Sequence, residues 1–320
     1  MTHPPLYPLR FEPILKRLIW GGRRLETLLG KPLGEGHDYA ESWEVADHRQ
    51  GRSVVADGPL AGRTLGELVR ERTAEMLGPA LISHQQFPLL VKFLDAHDVL
   101  SVQVHPGDEV GRRLVDDNGK TEAWVILHAA PGSLIYAGLR PGVTAQTFGD
   151  ALAAGEVEPL LHRFPAVPGD CIMIPAGTVH AIGAGVVLAE IQQMSDATFR
   201  VHDWGRLGPD GSPRALHLAE ALEATDFDAG PVSPMRVEGA PGSVEHLARC
   251  PYFAIDRLNL TAGTMVGTPE RFTLLVGLGG EAAVGPERLG PGQTLLLPAS
   301  VGPVEVVPRG RATMLAVVVP

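Results

Sequence analysis

Three short segments place side chains that could hold and use a divalent cation. In Leu100-Ser101-Val102-Gln103-Val104-His105-Pro106, strand alternation puts Gln103 and His105 on one face. In Gly119-Lys120-Thr121-Glu122-Ala123-Trp124, Lys120 and Glu122 likewise share a face. The third segment runs from Gly169 and Asp170 through the apolar Cys171-Ile172-Met173-Ile174 to Pro175-Ala176-Gly177-Thr178-Val179-His180. Gly169 permits a turn, Pro175 ends the ladder, Gly177 turns the chain and Val179-His180 starts back, so the segment reads as a strand pair delivering His180 to a fixed place. Imidazole, carboxylate and amide oxygen together suit a borderline ion such as zinc, with a position left open for water or substrate. Each residue alone has a plainer reading: a histidine in an apolar strand is commonly a satisfied core residue, and Lys120 with Glu122 could be an exposed strand face.

The elements needed to position these groups are short strands. Leu89 to Leu94, Val99 to Val104, Ala123 to Leu127, Ser133 to Tyr136 and Val186 to Ile191 are apolar runs broken by Gly and Pro about every ten residues, as in barrels and jelly rolls. Helical spacing is confined to Thr64 to Leu77, Phe148 to Val157 and Leu216 to Leu222, the last preceded by Ser212-Pro213 as a helix start. Pro168-Gly169-Asp170-Cys171-Ile172-Met173-Ile174-Pro175-Ala176-Gly177 is echoed by Pro291-Gly292-Gln293-Thr294-Leu295-Leu296-Leu297-Pro298-Ala299-Ser300. Aligning the two prolines sets Pro303 opposite His180, which suggests a second, degenerate barrel without the histidine. The Gly- and Pro-rich stretch from Ala229 to Gly242 reads as a linker, giving a catalytic domain at 1–235 and a β domain without a metal site at 236–320.

At 320 residues the chain can bury a substantial core, and a net charge of -10 with scattered Lys and Arg offers no nucleic-acid surface. Cys171 and Cys250 are too few for a disulfide framework, and reduced thiols in a cytoplasmic protein are expected. Met1-Thr2-His3-Pro4-Pro5 lacks a charged region followed by an apolar one, so no signal peptide is indicated. Cys171 to Ala189 is uncharged and nearly long enough to span a bilayer, but Pro175, Gly177, His180, Gly183 and Gly185 argue for turns between strands.

The frame of Gly169, Pro175-x-Gly177 and His180 resembles the second motif of the cupins, small metal-holding β-barrels. Phe87 to Asp95, Leu100 to Pro106, Gly119 to Trp124, Pro168 to Ile182 and Glu190 to Arg200 together resemble the type I mannose-6-phosphate isomerases, in their short bacterial form. Trp20-Gly21-Gly22 and Glu41-Ser42-Trp43-Glu44 extend the likeness, which runs to about Arg206. The resemblance implies an all-β, cupin-type fold of a catalytic barrel with a few helical insertions plus a degenerate C-terminal barrel. It implies one zinc ion per chain held by Gln103, His105, Glu122 and His180. Arg200, which ends Ser195-Asp196-Ala197-Thr198-Phe199-Arg200, matches the family's catalytic arginine, and Lys120 matches a residue proposed to transfer protons. Phe199 and His202 stand where many relatives have Tyr, which touches hydrogen bonding around the site but no ligand.

The implied reaction interconverts mannose 6-phosphate and fructose 6-phosphate by moving a proton between C1 and C2 through an enediol-like intermediate. Lys120 could serve as base only if burial beside a cation lowered its pKa, and Arg200 suits an enediolate or a phosphate. Lys92 reads either as a phosphate contact or as a structural ion pair. His84, His97, His128, His162 and His217 read as surface or packing residues, and Cys171 as a small buried hydrophobe. The expected partner is a small sugar phosphate, with neither nucleic acid nor membrane, and the protein is expected to be a monomer or homodimer. The rival readings are a cupin isomerase for another sugar phosphate, an iron oxygenase, disfavoured by Gln103 in the first ligand position, and a non-catalytic sugar-phosphate sensor.

Overall fold

Alternation in the central strands divides polar from apolar, and that division makes the site. A computed structural model describes residues 4–208 and 211–320; the leading Met1-Thr2-His3 lies outside them. In chain order the strands begin with β1 (Ile14–Gly22), β2 (Tyr39–Val45), the short β3 (Asp47–His48) and β4 (Gly51–Arg52), β5 (Leu89–Ala96) and β6 (Val102–Val104). Next come β7 (Glu122–Ala129), β8 (Leu134–Leu139), β9 (Leu161–Pro165), β10 (Cys171–Ile174), β11 (His180–Ile182), β12 (Val186–Gln193) and β13 (Phe199–His202). One antiparallel sheet has the order β1-β2-β5-β12-β7-β10, and a second, facing it, β13-β6-β11-β8-β9.

In the first sheet the residues alternate between two environments. Phe93, Val91, Ala123, Val125, Val187, Ala189 and Ile191 pack outward into one core. Leu94, Ala96, Trp124, Ile126, Val186 and Leu188 point inward, where Ile135, Ala137 and Ile182 of the second sheet meet them. Each fully buried Val, Leu, Ile or Phe among them contributes about 1.5–3 kcal/mol. Further along the same inward faces stand Lys92, Glu122 and Glu190, all buried, so the barrel has an apolar floor and a polar upper end. The second sheet is closed outside by helices, with Phe148, Leu152, Ala221 and Ala224 packed on Val102, Val104, Phe199 and Val201.

The helices are α1 (Arg24–Leu29), α2 (Leu65–Glu71), α3 (Thr73–Leu77), α4 (Asp108–Val115), α5 (Ala145–Ala154) and α6 (Leu218–Ala224). The expected helix from Thr64 to Leu77 is thus two, broken at Arg72, whose φ is -138° and whose buried side chain bonds Glu75 and the Pro4 carbonyl. Thr64 and Glu67 form a reciprocal cap at its start. The helix expected from Phe148 begins earlier, at Ala145, because Thr144 caps it. Ser212-Pro213 starts no helix; α6 begins at Leu218.

A larger correction concerns the segment that carries His180. Cys171–Ile174 and His180–Ile182 do not pair with each other: the first pairs with β7 and the second with β6 and β8. The segment is a corner that crosses from one sheet to the other. Gly177 turns it at φ +88°, donating its N–H to the His105 carbonyl at 2.8 Å. No helix among the described residues is long and apolar enough to cross a membrane, and Cys171 to Ala189 contains three separate strand segments.

The C-terminal strands are β14 (Val244–Arg249), β15 (Ala254–Leu260), β16 (Thr264–Val266), β17 (Thr273–Val284), β18 (Glu287–Leu289), β19 (Thr294–Leu297) and β20 (Val304–Val318), forming one seven-stranded sheet. Within it, Thr294 to Leu297 pairs with Val276 back to Thr273 in the register with which Cys171 to Ile174 pairs with Val125 back to Glu122. The sequence echo is therefore also an echo of ladder register, with Thr273 in the place of Glu122. The stretch from Ala229 to Gly242 is not a free linker: Met235 exchanges two backbone hydrogen bonds with Cys171, and the Val232 N–H donates to the Ala137 carbonyl.

Candidate metal centre and active site

Sheet register aligns three of the candidate residues in one row. Gln103 on β6 stands opposite His180 on β11 and opposite Arg200 on β13. His105 follows directly after β6, while Glu122 opens β7 on the facing sheet with Lys120 two residues before it. The fold thus brings His105, Glu122 and His180 together, with potential ligand atoms all within 4.8 Å of one another. His105 Nε2 lies 3.3 Å from Glu122 Oε2, and His180 Nε2 lies 3.5 Å from Glu122 Oε1.

The hydrogen bonds of the two rings decide which nitrogen is available. His105 Nδ1 donates to the Ala197 carbonyl at 2.8 Å, and His180 Nδ1 to the Thr178 carbonyl at 2.9 Å. Both Nε2 lone pairs therefore face Glu122, as in histidines that bind metal through Nε2. Burial first, then the Lys120 charge, brings the His105 pKa down to about 4, and burial lowers that of His180. The rings are neutral at pH 7, the form that ligates. Burial alone would raise the Glu122 pKa, but Lys120, His105 and His180 outweigh it and hold the carboxyl well below its usual range.

These residues fit a divalent cation. Both Glu122 oxygens are buried and accept no hydrogen bond of good geometry, although Lys120 Nζ stands 2.7 Å from Oε2 as an ion pair. A buried carboxylate in that condition is costly unless a cation faces it. Gln103 adds a fourth group: its Nε2 lies 3.2 Å from His180 Nε2, and turning the amide over would present the oxygen instead.

Beside this cluster, reached through Gln103 and Lys120, is a cavity of about 280 Å³. Its wall includes Gln103, Lys120, Lys92, Glu190, Arg200 and Arg214. Lys120 Nζ is 2.9 Å from His105 Nε2 and 3.8 Å from Glu190 Oε1. Arg200 spends one guanidinium nitrogen on the Ala215 carbonyl at 3.0 Å, while its buried Nε has no partner. Burial, and then Arg214, lowers the Arg200 pKa.

Several residues near the site had an open reading, a different one or none in the sequence. Glu190 accepts the Trp124 indole N–H at 3.1 Å and pairs with Lys92 at 3.1 Å. Lys92, also 3.7 Å from Glu41, is therefore an ion-paired residue of the wall, and its pKa is raised because Glu190 and Glu41 outweigh its burial. His217, read as packing, accepts the Arg200 backbone N–H on Nδ1 at 3.0 Å and donates its own to the Arg200 carbonyl at 2.8 Å. Arg214 and Arg206 both bond Asp203. Ion-pair partners and a seventeen-residue return to one backbone unit leave no periodic trace in sequence. His84, His97, His128 and His162 do not line the cavity. Phe199 is buried, and His202 meets Trp204 edge-on at 5.1 Å between ring centres.

Residues 9–123 match the family model for the phosphomannose isomerase type I catalytic domain. The chain is 35% identical to the mannose-6-phosphate isomerase ManA of Bacillus subtilis over 318 residues, covering 94% of this chain and 95% of that protein. The chain belongs to the type I phosphomannose isomerases. A mannose-6-phosphate isomerase of Streptococcus mutans is 33% identical, with 92% of this chain and 93% of that one covered. The crystal structure of the Bacillus subtilis mannose 6-phosphate isomerase matches with a TM-score of 0.85 at 30% identity, over 97% of this chain and 99% of that one. The apo enzyme of Salmonella typhimurium, at 19% identity and a TM-score of 0.75 over 97% and 98% of the two chains, shares the fold. The all-β fold is thus the cupin-type fold of this family of isomerases.

Proposed function

We propose that this protein is a zinc-dependent isomerase that interconverts mannose 6-phosphate and fructose 6-phosphate through an enediol-like intermediate. The observation that carries the reading is the buried His105, Glu122 and His180 cluster, set behind Gln103 and Lys120, which line a cavity whose wall also holds Arg200. His105, Glu122, His180 and the Gln103 amide would hold the ion. When bound, a zinc ion supplies polarisation of the sugar oxygens and stabilisation of developing negative charge. Lys120, whose neutral amine would be favoured by a cation bound beside it, would take the proton from one of C2 and C1 and return it to the other, which a positioned side chain accelerates by roughly 10²–10⁴-fold. Arg200 on the cavity wall would meet the developing enediolate or the phosphate, and Arg214 adds positive charge to the same wall.

The substrate is a small sugar phosphate, and an acidic chain without a basic patch gives no reason to add nucleic acid or membrane to its partners. We place the protein in the cytoplasm, as a monomer or homodimer. The test is conversion of mannose 6-phosphate to fructose 6-phosphate, coupled to a nicotinamide readout, before and after chelation with zinc added back. Activity lost on chelation and restored by zinc is expected. A zinc-loaded protein without turnover would overturn the reading; thermal stabilisation by the sugar phosphate would then point to a sensor.

A further inference from the structure

We propose that Tyr252, contributed by the C-terminal sheet, is a positioning residue for Lys120, acting through Asp108 and Gln193. The inference rests on the role proposed above for Lys120. Gly119-Lys120-Thr121 precedes β7 and lies outside the ladder, so side chains hold its backbone. The Gly119 N–H donates to Asp108 Oδ1 at 2.8 Å, and the Thr121 N–H to Gln193 Oε1 at 2.9 Å. Between them the Lys120 N–H donates to the Pro106 carbonyl at 3.0 Å, and the Thr121 carbonyl accepts the Gln193 N–H at 3.1 Å. Gln193 Nε2 closes the clamp on Asp108 Oδ1 at 3.1 Å.

The clamp needs the backbone close. A Cβ on Gly119 would stand 2.5 Å from the Asp108 nitrogen, so only glycine admits the approach. Asp108 has one remaining oxygen, and the Tyr252 hydroxyl donates to it at 3.1 Å. With both oxygens engaged, the carboxylate cannot rotate, and Oδ1 stays aimed at Gly119 and Gln193.

Tyr252 is itself well anchored. It sits in the tight turn between β14 and β15, where the Cys250 N–H donates to the Phe253 carbonyl at 2.9 Å and Phe253 is fully buried. Tyr252, Asp108, Gln193 and Asn118 line a cavity of about 490 Å³ where the N-terminal barrel meets the C-terminal sheet. The C-terminal half, which holds none of the proposed ligands, thereby takes part in placing Lys120.

The test uses the full-length, zinc-loaded protein. In Tyr252→Phe, kcat should fall roughly 3–10-fold, because sub-ångström misplacement of a reacting group is felt in kcat, while KM and bound zinc stay unchanged. Combined with Asp108→Ala, the double variant should be no slower than Asp108→Ala alone, since both remove one linkage. Wild-type kcat in Tyr252→Phe, or losses that multiply in the double variant, would overturn the proposal. If Asp108→Ala does not fold, Tyr252→Phe decides alone. Lys120→Met, run alongside, separates the two ideas: turnover retained there removes the role of Lys120. Lost turnover there with normal Tyr252→Phe removes only the positioning.

Discussion

Glu122 concentrates the chemistry of the site in one side chain. It is buried, faces two histidine lone pairs and the Lys120 ammonium, and lacks any well-formed hydrogen bond. On the zinc reading proposed above, Glu122→Gln should lower metal affinity by at least about 10-fold, since loss of even an outer-shell partner costs about 10–100-fold, with turnover falling in parallel; metal analysis after dialysis measures the first. Acid sensitivity follows from the same burial. His105 titrates near 4 when folded against 6.5 when free, so it contributes stability above 6.5 that is lost as pH falls toward 4. That amounts to about 3 kcal/mol in the metal-free protein, from 1.36 kcal/mol per pKa unit. Glu122, also lowered, acts in the same direction. Melting temperatures of the chelated protein should therefore fall steadily between pH 6.5 and 4; a flat profile would contradict the burial of a neutral His105.

The element that matters most is the corner from Cys171 to Ile182. It reads locally as a hairpin because Gly, Pro and Gly punctuate two apolar runs, but its two strands belong to different sheets. Nothing in the local pattern specifies that separation; the partners, β7 on one side and β6 with β8 on the other, decide it. Gly177 sits at φ +88°, and a Cβ there would come within 2.9 Å of the Asp226 Cβ. Gly177→Ala should cost about 1–3 kcal/mol, the range for strained backbone, and should also release zinc, because the same turn delivers His180. Unchanged zinc content in a destabilised variant would show that the corner is stiff without the turn.

At the scale of the whole molecule, the two halves share a core. Phe253, Ile255, Phe272, Leu274 and Leu315 of the C-terminal sheet pack with Leu77, Phe87 and Val91, and Leu9 bridges to Leu296. We propose the division at 1–235 and 236–320 as two barrels that unfold together. Phe272, fully buried and 4.7 Å from Phe87 between ring centres, gives the test. Phe272→Ala should cost about 3–5 kcal/mol, as large-to-small core changes do, and calorimetry should still show one transition. Two separate transitions would mean that the halves are independently stable.

The sequence by itself determined the strand-rich class and set Gln103 with His105, and Lys120 with Glu122, on shared faces, because alternation at period two is a local property of the backbone. The glycines and prolines that break the chain were legible for the same reason. Only the tertiary structure decided that Gln103, His180 and Arg200 share one cross-strand row, that His217 holds the Arg200 backbone, and that Tyr252 reaches Asp108. Those contacts join residues from 17 to 144 positions apart. Register and sheet-to-sheet packing set them, and these follow from burial of the whole apolar surface at once, which no single segment encodes.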